Sequence, residues 1–396
     1  MVDIGVILRS QAEYYSQVHL TPKANKSWRF CIDYRALNAA SQGMGWPIPN
    51  IPEMLQRLGA KKPKYFAKID LTNGYHQAPL SVDSRGHTAF ITHMGVYEWL
   101  RVPMGLKGAP AYFQEAISGV LRGLLYDTCE LYIDDINGRT KEEFLHNLEQ
   151  VFKRLEKHKI TVNPKKCFIG HNEVEFVGHV VNENGLTFSR ERIEKVMDIK
   201  EPVYGKELKA FLGVAGYFHA HIRDYATVSR PLHRMILAYE KNRKLSWTEE
   251  GRSAFHALKK AINECPKLYF VREGCPIFLH TDASDFGVGG YLFQVVDGKE
   301  QPIAFVSKML TKEEQRWTTT EKEAISIVYC FKKLEYLIRD RTFNLRTDDK
   351  NLTYNNNHFS AKVKRWKLLV QEYKFFIEHI TGKTTWFRTV SRGYCL

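Results

Sequence analysis

Apolar residues recur along this chain with two different periods, and the alternation between them predicts the order of strands and helices. Trp28 to Asp33 alternates loosely as a strand, and Pro47, Pro49 and Pro52 then interrupt regular structure. Tyr65 to Leu71 reads as a strand closing on an acid, Asp70. Phe113, Ile117, Val120 and Leu124 share one face of a helix over 110–125. Phe144, Leu148, Phe152 and Leu155 do the same over 142–159, where Asn163-Pro164 stops the pattern. Between these helices, 130–136 reads as a short apolar strand interrupted by two acids. Residues 175–181 and 186–188 predict a hairpin around Asn184-Gly185. The period then turns helical from 190 to 240, and the basic joint Lys241-Asn242-Arg243-Lys244 reads as a linker. Beyond it come a helix over 252–264, strands over 276–280 and 287–293, a helix over 320–337 and a strand over 343–347. Ala324, Ile327, Val328 and Phe331 line one side of that last helix. Strands gather with helices in two blocks, which predicts two α/β units joined by a helical bridge.

Composition narrows the class of molecule. A chain of 396 residues exceeds the size at which single cores stop growing, so several subdomains are expected. With 44% hydrophobic residues, disorder is excluded as the main state. Lys and Arg outnumber Asp and Glu by 58 to 44, a surplus suited to a polyanion such as nucleic acid. The seven cysteines, at 31, 129, 167, 265, 275, 330 and 395, form no Cys-x-x-Cys pair, which argues against zinc. Such a scattered, odd set fits reduced thiols and an intracellular, cytoplasmic setting. Met1 to Gly5 lacks the layout of a signal peptide, and no apolar run approaches the roughly 20 residues of a membrane span, so no membrane partner is expected.

The candidate chemistry lies in carboxylates. Nucleotidyl transfer uses two divalent cations about 3.5–4 Å apart, and hard cations take oxygen ligands from rigid elements. Asp70 closes one strand, and Asp134 and Asp135 lie in another. An isolated Asp-Asp is commonly only a turn; the flanking stretches decide otherwise. Trp28-Arg29-Phe30-Cys31-Ile32-Asp33-Tyr34-Arg35-Ala36-Leu37-Asn38 is followed by Lys68-Ile69-Asp70-Leu71-Thr72-Asn73-Gly74-Tyr75-His76-Gln77. Next come Val102-Pro103-Met104-Gly105-Leu106-Lys107-Gly108-Ala109-Pro110, then Tyr132-Ile133-Asp134-Asp135, then Phe176-Val177-Gly178-His179. In order and spacing this chain resembles the reverse transcriptase and ribonuclease H region of gypsy-class LTR retrotransposons, from about residue 2 to 392.

The resemblance implies an α+β, multidomain architecture: a right-hand polymerase of fingers, palm and thumb, then a helical connection and an RNase H-like α/β domain. Fingers and palm would occupy 1–182, a thumb-like helical region 183–245, the connection 246–272 and the RNase H-like domain 273–396. Asp70, Asp134 and Asp135 would hold the polymerase metals, Mg²⁺ with Mn²⁺ as the alternative. Arg29 matches the arginine that holds the incoming dNTP, assisted by Lys23 or Lys26, and Tyr75 the aromatic that excludes a ribose 2′-OH. Met104 and Gly105 would lie near the nucleotide, and Phe176, Val177, Gly178 and His179 would grip the primer end. The expected partners are an RNA or DNA template–primer, an RNA–DNA hybrid and dNTPs.

A second acid set follows. Asp282 ends a strand, Glu323 lies in the first turns of a helix that Thr320 could cap, and Asp348 ends another strand. Here two readings of Glu323 stand side by side, a capping-box acid and a metal ligand. The resemblance implies the second, with Asp282, Glu323 and Asp348 binding the metals of the ribonuclease; Asp349 is given no role. Two departures favour a degenerate copy that keeps only nucleic-acid binding. Relatives carry an acid near the C-terminus where Gly382 to Arg392 has none. One permitted coding of Thr385 to Gly393, read in the adjacent frame, gives Val-Val-Pro-Asp-Cys-Leu-Ser-Arg, which restores it and suggests a frameshift. After Asp135 the strand seen in relatives is shortened to Ile136-Asn137-Gly138, and Asn-Gly predicts a tight turn.

Overall fold

The computed structural model describes residues 1–22, 28–47, 50–130, 135–138, 140–238, 244–353 and 360–380. The chain divides into two compact units, Met1–Val174 and Glu175–Leu396.

In the first unit a four-stranded sheet runs in the order Cys129–Glu130, Asp135–Gly138, Tyr65–Lys68, Phe168–His171. Helices Ala109–Val120 and Lys141–Lys157 supply its core: Ala67 and Ile69 meet Ile117, Phe144, Leu148, Val151 and Leu155. The second helix forms where the sequence signals agree. Thr140 accepts a hydrogen bond from the Glu143 N–H at 3.1 Å, Glu142 and Glu143 sit at the positive end, and Arg154 and Lys157 at the negative end. A second sheet pairs Ile7–Arg9, Gly95–Trp99 and Phe90–Thr92, and a two-stranded ribbon joins Val18–Pro22 to Trp28–Ile32.

Two expectations are corrected here. The single strand over 130–136 is two short antiparallel strands, Cys129–Glu130 and Asp135–Gly138. Asn137-Gly138 is not a turn: it lies inside a strand whose register pairs Gly138 with Tyr65 and Asp135 with Lys68. Asn137 and Gly138 pair with Phe66 and Tyr65, so sheet pairing overrides the local turn preference of Asn-Gly. Leu131 to Asp134 lie outside the described residues.

In the second unit, the strand expected over 175–181 is broken at Val177-Gly178, where both residues have positive φ, 45° and 78°. The chain leaves strand Glu173–Phe176 and turns there into His179–Asn182, which pairs with Gly185–Phe188 as expected. Leu268–Tyr269 adds to the same sheet. Helices Arg190–Met197, Gly205–Gly216, Tyr225–Ala238 and Glu249–Asn263 share one core built around Leu208, Phe211, Leu232, Phe255, Leu258 and Ile262. Of the expected linker at 241–244, only Lys244 is among the described residues, bridged to Tyr204.

The unit ends in a five-stranded sheet ordered Lys299–Met309, Gly287–Val296, Ile277–Ala283, Phe343–Thr347, Phe375–His379. The first three pair antiparallel; the last two join in parallel. Helices Thr319–Lys333 and Ala361–Val370 pack on it through Ile327, Val328, Phe331, Val363 and Trp366. The first helix lies so close that a Cβ on Gly290 would meet Cys330 Sγ at 2.5 Å. The cap expected at Thr320 is instead Thr318, which forms a capping box with Glu321. Glu323 is therefore released from any capping role. The cysteines at 31, 129, 167, 265, 275 and 330 are free thiols, and among the described residues no helix is long and apolar enough to cross a membrane.

Candidate functional site

Three acids of the second unit are brought together by strand register. The parallel pairing sets His280 opposite Arg346, and two residues further along both strands stand Asp282 and Asp348. Helix Thr319–Lys333 crosses the same sheet and carries Glu323 into the gap; ligand oxygens of Asp282, Glu323 and Asp348 lie within 4.8 Å of one another. Ser326, on the same face of the helix, ties it down by donating to the carbonyls of Asp282 at 2.9 Å and Gly289 at 3.0 Å. Neither Ser326 nor this register is visible as a motif, because both depend on pairing between distant segments.

The electrostatics of this cluster are unbalanced. Glu323 is only 2% exposed. Burial, then the charges of Asp282 and Asp348, push its carboxyl up to about 10, against a single 3.1 Å hydrogen bond from the Ala283 N–H. Its Oε2 is buried with no hydrogen-bond partner. Three converging carboxylates, one with an orphaned oxygen, match the oxygen-rich ligand set of a hard divalent cation. The cluster opens on a cleft of 810 Å³ lined also by Asp224, Thr227, Ser284 and Lys350. Asp224 sits at positive φ just before helix Tyr225–Ala238, and burial raises it to about 6 despite its hydrogen bond with Thr227. Its place on this cleft has no signal in the sequence.

In the first unit, Asp70 follows strand Tyr65–Lys68, and its backbone carbonyl accepts from the Asn163 N–H at 2.7 Å. Its side chain is 34% exposed, with Lys166 Nζ 3.8 Å from Oδ1. Asp135 is paired through its backbone with Lys68, two residues from Asp70. Tyr132, Ile133 and Asp134 lie outside the described residues, as do Lys23 and Lys26. Tyr75 follows in helix Gly74–Gln77 and packs on Phe113 with ring centres 5.1 Å apart. A Cβ on Gly74 would meet Phe113 Cζ at 2.9 Å, so that close approach needs glycine.

Arg29 is exposed on the ribbon, opposite Thr21. Its neighbours in sequence, Trp28 and Phe30, project to the other face of the ribbon. Met104 is exposed, and Gly105 adopts φ 96°, a conformation few other residues reach. Asn38 pins this loop by donating to the Gly105 carbonyl at 2.8 Å and accepting from the Lys107 N–H at 2.7 Å. Asn38 stands in a recognised stretch, but its linking role appears only in the fold. Of the remaining quartet, Phe176 is buried, Val177 and Gly178 form the turn, and His179 packs on Phe188, Tyr217 and His221. Burial holds His179 down at about 3, so it is neutral at physiological pH.

Comparisons with known proteins agree with this layout. A family model described as reverse transcriptase (RNA-dependent DNA polymerase) matches residues 21–181, and one described as the RNase H-like domain found in reverse transcriptase matches 247–345. The chain is 34% identical to the retrovirus-related Pol polyprotein from transposon opus of Drosophila melanogaster, over 96% of this chain and 40% of that protein. It is 30% identical to the Pol polyprotein from transposon gypsy of the same organism, over 96% of this chain and 38% of that protein. The chain thus spans well under half of these relatives. Among solved structures, a foamy viral protease-reverse transcriptase in complex with dsDNA superposes with a TM-score of 0.80 at 25% identity, covering 96% of this chain and 80% of that one. The same kind of enzyme in complex with an RNA/DNA hybrid gives 0.78 at 25% identity, covering 96% and 52%.

Proposed function

Because the chain belongs to the reverse transcriptase family of transposon Pol polyproteins, with the RNase H-like domain found in those enzymes, we propose that it copies RNA and DNA templates into DNA and cleaves the RNA strand of RNA–DNA hybrids. The observation that carries the reading is the convergence of Asp282, Glu323 and Asp348 within 4.8 Å on a cleft of 810 Å³. Bound Mg²⁺, or Mn²⁺, would supply charge stabilisation at the scissile phosphate and an activated water. The three carboxylates would hold it, and the Ala283 N–H and Ser326 would keep Glu323 and the Asp282 strand in place.

In the polymerase unit, Asp70, Asp134 and Asp135 would hold the metals for nucleotidyl transfer. Asp70 is placed by the end of its strand and its Asn163 contact, and Lys166 supplies positive charge beside it. Arg29 would bind the triphosphate with its planar fork, Tyr75 would close the sugar pocket, and Met104 and Gly105 would border the nucleotide. Phe176 to His179 would seat the primer end. The basic surplus would bind phosphates without reading sequence, so template–primer affinity should fall steeply with salt. In this reading 1–182 form fingers and palm, 183–245 the thumb, 246–272 the connection and 273–396 the nuclease. The relatives solved with dsDNA and with an RNA/DNA hybrid support these ligand classes.

One observation favours the second reading, a degenerate copy that keeps only nucleic-acid binding: Gly382 to Arg392 holds no Asp or Glu where the resemblance implies a further acid. Primer extension on an RNA template with Mg²⁺, using Asp134→Asn as control, tests the polymerase. Absence of metal-dependent extension by the wild-type chain would rule that activity out. Cleavage of a labelled RNA–DNA hybrid tests the nuclease in the same preparation.

A further inference from the structure

The turn at Val177-Gly178 is held by two side chains that the reading above does not use. Two consecutive positive φ values, 45° and 78°, make it a type I′ turn. Glycine adopts this freely, but a β-branched valine does not. Strain of that kind persists only where the surroundings over-determine the backbone. Tyr217, at the end of helix Gly205–Gly216, donates its hydroxyl to the Val177 carbonyl. Arg192, from helix Arg190–Met197, lays its guanidinium over the Tyr217 ring, 4.5 Å from the centroid. The same guanidinium fills the space beside Gly178: a Cβ there would come within 1.3 Å of Nη1. That nitrogen is buried with no hydrogen-bond partner, so the ring face is what offsets its charge.

Tyr217 also touches the next residue of the hairpin. Its ring lies 5.3 Å from His179 and 5.7 Å from Phe188, centre to centre. One tyrosine therefore holds the carbonyl of the turn, the imidazole after it and the guanidinium beneath it. We propose that Tyr217 and Arg192 are positioning residues for the primer 3′ end, locking the Val177-Gly178 turn in the conformation that receives it. The inference rests on the reading of Phe176 to His179 as the primer grip. It assigns to the helical region a task in placing the primer rather than only in enclosing the duplex.

The test uses the full chain with a DNA primer annealed to an RNA template, carrying 2-aminopurine at the primer terminus. Its fluorescence reports how the primer end is seated in the binary complex, without any need for turnover. Tyr217→Phe removes only the donor, and Arg192→Met removes the charge while keeping volume. Both should move the fluorescence at least halfway toward that of the free duplex and slow single-turnover extension about tenfold. Template–primer affinity should fall less than about threefold, since the phosphate contacts that dominate it are untouched. Arg192→Lys should restore part of the signal. A merely structural role would instead lower the melting temperature and weaken affinity and both activities together, which would overturn the proposal. His179→Ala separates the two levels. If it shifts the fluorescence and Tyr217→Phe does not, the primer-grip reading stands and the inference fails. If none of these variants shifts it, the primer-grip reading fails with the inference.

Discussion

The two acid sets of this chain are built by different means. Asp282 lies within strand Ile277–Ala283, Asp348 directly follows the parallel strand Phe343–Thr347, and Glu323 reaches them from a helix with almost no exposure. Asp70 stands past the end of its strand, about one-third exposed, beside a lysine rather than two other described acids. At Glu323 this set is thus a buried electrostatic conflict that a cation would resolve. Asp70 stands in more open surroundings, beside strand Tyr65–Lys68, whose neighbour Asp135–Gly138 has partners on both sides. Glu323 is held by the Ala283 N–H, with Ser326 of its helix fastened to the Asp282 carbonyl, whereas Asp70 is held through its own carbonyl by Asn163.

The sharpest way to break this contrast is to remove one acid from the buried set. Glu323→Gln should lower hybrid cleavage by about a hundredfold or more while leaving primer extension within about twofold, measured on one preparation. An equal loss in both assays would show that the two sites are not independent. Next in size is Gly290→Ala, which sets a methyl against Cys330 Sγ and the His280 carbonyl. It should cost about 1–3 kcal/mol by chemical denaturation, with the loss confined to the second unit's unfolding.

The buried conflict also has a pH signature. The Glu323 carboxyl is held at about 10, against an ordinary value of 4.5 in the unfolded chain. The folded state therefore keeps a proton that the unfolded state gives up, so the metal-free protein loses stability as pH rises from about 4.5 towards 10. A divalent cation takes the proton's place, so the rise in melting temperature on adding Mg²⁺ should be greater at pH 8 than at pH 6. A gain that shrank with pH would contradict the assignment. The smallest effect concerns the polymerase side: Thr140→Ala removes the cap of helix Lys141–Lys157 and should cost about 1 kcal/mol in thermal unfolding. It should leave hybrid cleavage unchanged.

Much of this was legible in the sequence, and the exceptions have physical causes. Short strings such as Lys68 to Gln77 carry chemistry and backbone geometry together, so Asp70 and Tyr75 stand out as candidates without a fold. The amphipathic helix after Thr140 was equally plain, because its periodicity, cap and end charges agree. Strand Lys299–Met309 was not read, since it opens on polar residues and carries Pro302. It tolerates both as an edge strand with a register shift where Pro302 meets Phe293. The edge strand Phe375–His379 and helix Ala361–Val370 were missed as short elements. Asn137-Gly138 misled because a local turn preference is weaker than pairing with strand Tyr65–Lys68. The capping box was misplaced by two residues because Thr318, Thr319 and Thr320 offer the same side chain. Arg192 and Tyr217 could not be found at all, because their meaning depends on a turn far away in sequence.

On the proposed function, one chain carries two separate metal-dependent active sites. A crossed assay tests it most directly: primer extension and hybrid cleavage measured with Mg²⁺ for wild type, Asp70→Asn and Asp282→Asn. Asp70→Asn should abolish extension and spare cleavage, and Asp282→Asn should do the reverse. Loss of both activities in either variant, or wild-type protein with neither, would contradict it.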